Sequence, residues 1–276
     1  MNLQPLQILH PRYEEDHQLL ILELNHGKAN EIGTAELHAF TSLCELLEDS
    51  TAIVCVCTTS QRQSSTGKPI FIAGANVRER ETWSEEQIQN HVNRQRVLMQ
   101  RLRRVPVFTT VLVHGMALGW GLEFVLTADY AISTRASHFG LPETGLGIIP
   151  GARGTAELAQ TIGQAQALRL GCTGELIDGE QALALGLVQE VVADIEPGLA
   201  RVRTLAKMLC SRSPTAIAAY KQSVLDALGR SESVRLRIEQ QGYEQCLKSG
   251  DAAIGRQYFT EIRAGKTPPW GPRRRV

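Results

Sequence analysis

A chain of 276 residues with 43% hydrophobic and 21% charged residues has the composition of an ordinary globular protein, long enough for one core with a smaller appendage. The formal net charge is zero, which gives no electrostatic argument for binding to nucleic acid or to a membrane surface. No stretch approaches the ~18 to 20 uncharged apolar residues of a membrane span, and the start of the chain has no signal-like apolar core. We therefore predict a cytoplasmic protein without nucleic-acid or membrane partners.

The first half of the chain alternates between apolar strands and helices. Strands are predicted over residues 18–25, 53–58, 71–73 and 107–113. A helix is expected after Thr34, which could cap it. A second helix, opened by a capping box of Ser84 and Gln87, is expected to end before Pro106. This alternation is typical of an α/β core.

The second half of the chain has mainly helical periodicity. Helices are predicted over 156–162, 164–171, 178–185, 199–211, 214–228, 231–249 and 251–264, with one short strand over 188–193. The change from alternating elements to helices alone predicts a spiral α/β core followed by a helical C-terminal section. The arginine cluster 273–275 is interpreted as a solvated, disordered end.

The six cysteines are scattered along the chain, with neither Cys-x-x-Cys pairs nor histidines at metal-ligand spacing. Free thiols are therefore expected, which suits a reducing compartment such as the cytosol. The sequence predicts no metal site.

The stretch from His114 to Thr155 carries the clearest chemical signal. It contains a Gly-Trp-Gly turn at 119–121, followed by Glu123 and later by Glu143. A glycine turn that opens a short helix leaves backbone N–H groups unpaired, and such an N-terminus favours negative charge. Two carboxyl groups beside it could divide general acid and general base work between them. The sequence therefore indicates an active site in this stretch.

These motifs resemble those of the enoyl-CoA hydratase/isomerase (crotonase) superfamily. The glycine turn with its glutamate, the segment Phe139–Thr155 and the upstream segment Phe71–Asn76 match the spaced family pattern. The resemblance implies a crotonase-like spiral of stacked ββα units over residues 1–195, which would carry an acyl-CoA site. It also implies a helical C-terminal section over 196–276 that takes part in assembly, as a homotrimer or a dimer of trimers.

The resemblance further implies a reaction and the residues that carry it. The reaction would be reversible addition of water to the α,β double bond of an acyl thioester of CoA or of acyl-carrier protein. The amides of Ala75 and Trp120 would form an oxyanion hole for the enolate. Glu123 would activate the water, and Glu143 would deliver the proton to the α-carbon. No cofactor is implied, since coenzyme A is part of the substrate.

The same resemblance places the path of the CoA moiety. The residues implied to line this path are Lys28, Ala29, Asn30, Ala73, Asn76, Val77 and Arg78. Lys28 and Arg78 could meet phosphate oxygens, although an isolated surface cation is more often merely solvated.

Three positions depart from the family pattern. Trp120 replaces a glycine, which keeps a backbone amide but adds a side chain that cannot adopt positive φ freely. Asn76 replaces an aspartate and removes a charge near the pocket mouth. Arg153 stands where a small residue is usual. It could recognise a second carboxylate on a dicarboxylic acyl group, or it could form a structural ion pair with Glu157.

Two other functions stay open on the sequence alone. Another reaction of the superfamily, such as double-bond isomerisation or decarboxylation on a CoA or carrier-protein thioester, typically needs one acid-base residue, so the pair of glutamates argues against it. A non-catalytic CoA-binding protein would bind CoA without turning over any enoyl thioester.

Overall fold

The computed structural model describes residues 1–274, whose strands form two sheets. The strands are β1 (Pro11–Glu14), β2 (Leu19–Leu24), β3 (Cys55–Ser60), β4 (Ile70–Ile72), β5 (Phe108–Val113), β6 (Met116–Leu118), β7 (Tyr130–Thr134), β8 (His138–Gly140), β9 (Ile177–Asp178) and β10 (Glu190–Val192). One sheet has the order β1-β2-β3-β5-β7-β10, and the other has the order β4-β6-β8-β9. All neighbouring strands are parallel except the pairs β1–β2 and β8–β9.

Helices follow the strands in a repeating order. They are α1 (Thr34–Asp49), α2 (Glu85–Arg104), α3 (Trp120–Val125), α4 (Gly154–Ile162), α5 (Gln164–Thr173), α6 (Gly179–Ala184), α7 (Ile195–Cys210), α8 (Pro214–Ala227), α9 (Glu232–Lys248), α10 (Asp251–Gln257) and α11 (Phe259–Arg263). The units β3-β4-α2, β5-β6-α3 and β7-β8-α4 each contribute their first strand to the six-stranded sheet and their second strand to the four-stranded sheet. This repeat confirms the predicted α/β class and the stacked ββα units.

The two faces of the six-stranded sheet are covered by different helices. On one side, α1 buries apolar side chains at helical spacing, namely Leu37, Phe40, Leu43 and Leu47. On the other side, α7 buries Leu199, Val202 and Ala206 in a cluster with residues from β2, β3, β5 and β7.

Most predicted helices are observed, but Thr34 is the first residue of α1 and not its cap, which is Gly33. The capping box of α2 is also present, since Ser84 N–H donates to Gln87 Oε1 at 2.8 Å and Gln87 N–H donates to Ser84 Oγ at 3.2 Å. The prediction of one helix over 251–264 was wrong in one respect, because the helix is interrupted at Tyr258 and forms two helices, α10 and α11. Strands β1, β6, β7, β8 and β9 were not predicted, and Asp178 of β9 was placed in a helix. These strands contain two to five residues each, too few to show a hydrophobic period.

The interpretation of the arginine cluster as a disordered end was also wrong for its first residue. Arg273 is buried, and its Nη2 donates to the carbonyl oxygens of Leu47 at 2.7 Å and Ser50 at 2.6 Å. The last carbonyls of a helix have no partners within it, so the end of α1 provides acceptors for a cation. Arg275 lies outside the described residues.

Candidate active site

Three neighbouring parallel strands of the four-stranded sheet end at the same edge, and each leads into a predicted site residue. β4 leads into Ala75, β6 leads into Trp120 and Glu123, and β8 leads into Glu143. Because parallel strands present their carboxyl ends at one edge, residues that follow them meet there although they are far apart in sequence. The sheet therefore assembles the four predicted catalytic groups at one place.

The amide of Ala75 is the first predicted oxyanion donor. Ala75 forms a parallel bridge with Ile32, in which Ile32 N–H donates to Gly74 O at 2.9 Å and Asn76 N–H donates to Ile32 O at 2.8 Å. Since the neighbours of Ala75 make these bonds, the N–H of Ala75 itself points to the opposite side. On that side β4 is paired with β6, so the amide faces the turn that follows β6.

The amide of Trp120 is the second predicted donor. Trp120 is the first residue of α3, so its N–H has no acceptor within the helix. The left-handed conformation falls on Gly119, with φ of 51°, and not on Trp120. The indole is buried, stacks on Phe124 with ring centroids 5.4 Å apart and lies 5.8 Å from the ring of Phe40. The tryptophan therefore keeps the amide while its side chain enters the core.

Close packing of α3 against β4 brings the two turns together. A Cβ atom on Gly121 would lie 2.3 Å from Ile72 O, so a side chain at this position would push the helix away from the strand. Glycine is required here by the approach of two backbones. The spacing between the two oxyanion donors depends on this contact.

Glu123 lies one helical turn after Gly119 and is 4% exposed. Its Oε1 accepts hydrogen bonds from the amides of Ala152 at 2.7 Å and Gly154 at 2.8 Å. Burial raises the pKa of Glu123 to about 7; the charge of Glu143 acts in the same direction, whereas the two amides act against it. A carboxyl group with a pKa near neutrality is suited to exchange a proton at neutral pH.

Glu143 begins a short 3-10 turn, Glu143–Leu146, directly after Pro142. Its Oε1 lies beside Gly119, where a Cβ atom would be only 2.7 Å from it. Its Oε2 is buried and has no hydrogen-bond partner among residues 1–274. Burial also raises the pKa of Glu143. A buried carboxyl oxygen without a protein partner is a place where water or a substrate atom can bind.

The two carboxyl groups flank the turn that carries the Trp120 amide. The charge of Glu143 disfavours ionisation of Glu123, so the pair can hold one proton. One ionised and one protonated carboxyl can accept a proton from water and donate one to carbon. Two fixed N–H donors beside them can stabilise a developing oxyanion. The arrangement can therefore support proton transfer at the carbon next to a thioester.

The residues predicted to line the CoA path come together at one surface. The turn 26–30 contacts the segment after β4, since Ala73 N–H donates to Ala29 O at 3.1 Å. Lys28, Val77 and Arg78 are exposed on these two segments. A ligand that reaches the oxyanion donors from this side would pass both cations.

Asn30 differs from its neighbours because its side chain is turned into the fold. It is fully buried, donates to Ser60 Oγ at 2.8 Å and to Phe71 O at 2.9 Å, and accepts from His26 N–H at 2.9 Å. Its φ of 51° is a left-handed conformation that asparagine tolerates better than most residues. The predicted ligand contact of Asn30 is therefore limited to backbone atoms.

Glu79 is a site-supporting residue that sequence analysis missed. Its Oε2 accepts from Thr34 N–H at 3.0 Å at the start of α1, where the helix favours negative charge. Its own N–H donates to Asn76 Oδ1 at 3.3 Å, so Asn76 acts as a turn residue. Glu79 thus fastens the segment after Ala75 to α1. The two partners lie 45 positions apart, and no local pattern connects them.

The structure pairs Arg153 with Glu157, one of the two roles considered for it. Arg153 Nε donates to Glu157 Oε1 at 3.1 Å, and the other oxygen of Glu157 accepts from Arg103 of α2. The Arg153 side chain lines a cleft of about 240 Å³, and neither Glu123 nor Glu143 contributes to that cleft. Recognition of an acyl carboxylate by Arg153 stays a prediction, and it would require this ion pair to open.

Metal-ligand clusters and membrane-spanning helices are both absent from the described residues 1–274. No group of three or more His, Cys, Asp or Glu side chains in this range is placed to hold a metal ion. No helix in the same range is long and apolar enough to cross a membrane.

Comparisons with known proteins agree with this geometry. The family model for enoyl-CoA hydratase/isomerase matches residues 16–271. YngF of Bacillus subtilis (strain 168) is 34% identical over 256 residues, which cover 91% of this chain and 94% of YngF. The mitochondrial enoyl-CoA hydratase domain-containing protein 2 of Mus musculus is 37% identical over 202 residues, covering 72% of this chain and 68% of that protein. The crystal structure of enoyl-CoA hydratase from Bacillus anthracis superimposes with a TM-score of 0.83 at 29% identity, covering 92% of this chain and 95% of that one.

Proposed function

The chain belongs to the enoyl-CoA hydratase/isomerase family, and on that premise we propose that it catalyses the reversible addition of water to the α,β double bond of an acyl-CoA thioester. The observation that carries this proposal is a pair of carboxyl groups beside the turn that holds the Trp120 amide, namely the buried Glu123 and Glu143, whose Oε2 is buried without a partner among residues 1–274. Isomerisation needs one proton shuttle, whereas addition of water needs a group for the water and a group for the α-carbon. The presence of both groups favours hydration.

In the proposed reaction, the thioester oxygen accepts hydrogen bonds from the amides of Ala75 and Trp120. The reaction starts from the form of the pair in which the single proton lies on Glu143 and Glu123 is ionised, and Glu123 then takes a proton from water as the water oxygen bonds to the β-carbon. The π electrons of the double bond move toward the thioester, and the resulting enolate charge is held by the two amides. Glu143, protonated, then gives its proton to the α-carbon. Water is thus added across the bond, Glu123 is left protonated and Glu143 ionised, and transfer of one proton back to Glu143 restores the starting form.

The CoA moiety would lie along the surface formed by the turn 26–30 and the segment after β4. Lys28 and Arg78 are the exposed cations on that surface, and they would contact phosphate oxygens. We propose that coenzyme A, or the related arm of an acyl-carrier protein, enters here and that no further cofactor is required. Activity that survives exhaustive dialysis against a chelator would support the last point.

We also propose a homotrimer, or a dimer of trimers, assembled in the cytoplasm. Helix α9 has no buried residue, and the C-terminal section exposes Leu236, Tyr243 and Phe259 at 59%, 67% and 60%. Exposed apolar side chains in such numbers are typical of a surface that another subunit covers. Light scattering during gel filtration should give three or six times the chain mass of 30.3 kDa, and a monomeric mass would contradict the assembly.

The reaction is tested by incubating the protein with crotonyl-CoA and with longer 2-enoyl-CoA thioesters. Loss of the conjugated thioester absorbance and incorporation of ¹⁸O from labelled water into a 3-hydroxyacyl product are expected. Glu123→Gln should lower kcat by about 10²- to 10⁴-fold, the usual contribution of a general base. Arg169→Ala, which removes a surface ion pair with Glu175, serves as a control and should leave kcat unchanged.

The same assay separates the alternatives. A shifted double bond without ¹⁸O in the product would identify an isomerase, and loss of CO₂ from a carboxylated thioester would identify a decarboxylase. Binding of CoA without turnover of any thioester, and with no effect of Glu123→Gln, would refute a catalytic function for the site.

A further inference from the structure

Arg153 has an unusual backbone conformation beside the catalytic carboxyl group. It is one of four non-glycine residues with positive φ among residues 1–274, with φ of 86° and ψ of −2°. The residues on either side of it, Ala152 and Gly154, both donate their N–H groups to Oε1 of Glu123. Successive amides around a left-handed residue form a concave anion site. The direction of the two N–H groups therefore depends on the conformation of Arg153.

The Arg153 side chain is tied to the helix that follows. Glu157 Oε1 accepts a hydrogen bond from the Arg153 guanidinium, and the backbone N–H of Glu157 donates to Arg153 O at 3.0 Å. The Glu157 side chain is 8% exposed, and its other oxygen accepts a hydrogen bond from Arg103 of α2. Arg153 is thus bound to one residue through both its backbone and its side chain. A left-handed turn that is unfavourable for arginine is stabilised by these contacts.

Helix α2 holds the same segment from a second point. Arg96 Nε donates to Gly151 O at 2.7 Å, and a Cβ on Gly151 would be 3.0 Å from Val92 Cγ1. The segment 150–154 is therefore fixed against α2 on one side and against α4 on the other. Removal of the Arg153 guanidinium leaves the Arg96 contact in place, so the segment should stay near its position while the turn within it relaxes.

We propose that Arg153 is a positioning residue, whose ion pair with Glu157 maintains the left-handed turn that aims the Ala152 and Gly154 amides at Glu123. Arg153 does not contact the reacting atoms in this role. It acts through the backbone on the carboxyl group that activates water. The consequence for turnover rests on the proposed function, whereas the consequence for the titration of Glu123 does not.

The expected pH effect follows from the groups that act on Glu123. Burial, the charge of Glu143 and the charge of Arg96 are unchanged by substitution of Arg153, and only the two amide hydrogen bonds are weakened. Hydrogen bonds to an ionised carboxylate stabilise the charged form, so their loss raises the pKa of Glu123. A base with a higher pKa is ionised in a smaller fraction of molecules at pH 6 than at pH 8.

Two substitutions separate the ion pair from the backbone conformation. Arg153→Ala removes the guanidinium and keeps a Cβ that disfavours positive φ, whereas Arg153→Gly removes the guanidinium and permits positive φ. We expect Arg153→Ala to lower kcat by about tenfold to 10²-fold, as small misplacements of catalytic groups do, with KM little changed and the loss larger at pH 6. Arg153→Gly should stay within about threefold of the wild type because its backbone can hold the turn. Arg169→Ala, which removes a remote surface ion pair, is the control.

A second measurement does not depend on turnover. The side-chain carboxyl of Glu123 is titrated by ¹³C NMR on glutamate-labelled protein, with the signal assigned by Glu123→Gln. We expect a higher pKa in Arg153→Ala than in the wild type, and a nearly unchanged pKa in Arg153→Gly. An equal kcat and an equal Glu123 pKa in Arg153→Ala and the wild type would overturn the proposal, as would an Arg153→Gly variant as impaired as Arg153→Ala. If the wild type turns over no thioester, the proposed function fails, and the titration alone still decides the positioning role.

Discussion

Substitution of Glu123 by glutamine should make the folded protein more stable at alkaline pH while it abolishes most activity. Burial raises the pKa of Glu123 from 4.5 to about 7, so the folded state binds a proton that the unfolded state has lost between those pH values. The wild-type free energy of unfolding should therefore fall as pH rises through this window. Below this window the carboxyl is neutral in both the folded and the unfolded state, so its burial as a charge does not lower the free energy of unfolding.

The size of the effect follows from the same pKa difference. At about 1.36 kcal/mol for each pH unit, ionising the buried carboxyl costs the folded protein roughly 3 kcal/mol above pH 7. The amide side chain in Glu123→Gln stays neutral at every pH, and its oxygen can still accept from the Ala152 and Gly154 amides. The stability of Glu123→Gln relative to wild type should thus rise by up to about 3 kcal/mol between pH 4.5 and pH 8.

The assay is urea denaturation followed by tryptophan fluorescence at several pH values, with protein concentration held constant because subunit association contributes to apparent stability. Glu14→Gln is a control with the opposite sign. The hydrogen bond from Arg203 lowers the pKa of Glu14, so that carboxylate stabilises the fold above pH 4.5 and loses the effect in acid. The relative stability of Glu14→Gln should fall as pH rises to about 4.5 and should then stay constant up to pH 8. A stability difference between Glu123→Gln and wild type that is flat from pH 4.5 to 8 would refute the reasoning.

Three further substitutions test other parts of the structure. Glu143→Gln removes the proton donor and keeps the shape of the side chain. We expect kcat to fall by about 10²- to 10⁴-fold with little change in KM. An unchanged rate in the hydration assay would exclude Glu143 from catalysis. Trp120→Ala keeps the backbone donor but leaves a cavity beside Phe40 and Phe124. Urea denaturation should therefore show a free energy of unfolding that is lower by about 3–5 kcal/mol. A decrease below about 1 kcal/mol would contradict the core position of the indole. Arg273→Ala removes charged hydrogen bonds to the end of α1, and a stability loss of about 1.5–3 kcal/mol is expected; a thermal midpoint equal to that of wild type would place the tail outside the fold.

Features that depend on a few consecutive residues could be predicted from the sequence. The capping box of Ser84 and Gln87 closes within one helical turn, and the glycine at position 119 carries the positive φ that its turn requires. The types of the two acidic residues and their distance from that turn are also local properties. For this reason the residue types and their spacing were enough to predict the position of α3 and the identity of the candidate catalytic groups.

Partners that are distant along the chain could not be predicted in this way. The amides of Ala152 and Gly154 were part of a recognised motif, yet their contact with Glu123 depends on how α4 meets α3 across the sheet edge. Likewise, the buried side chain of Asn30 and the contact of Arg273 with α1 join segments 30 or more residues apart.

The sequence by itself determined the candidate catalytic groups, because backbone turns and residue types are set within a few positions. Only the tertiary structure decided that Glu123 is buried against the Ala152 and Gly154 amides and that Arg153 pairs with Glu157. Burial and long-range hydrogen bonds arise when separate ββα units pack, and no local pattern records which atoms then come into contact.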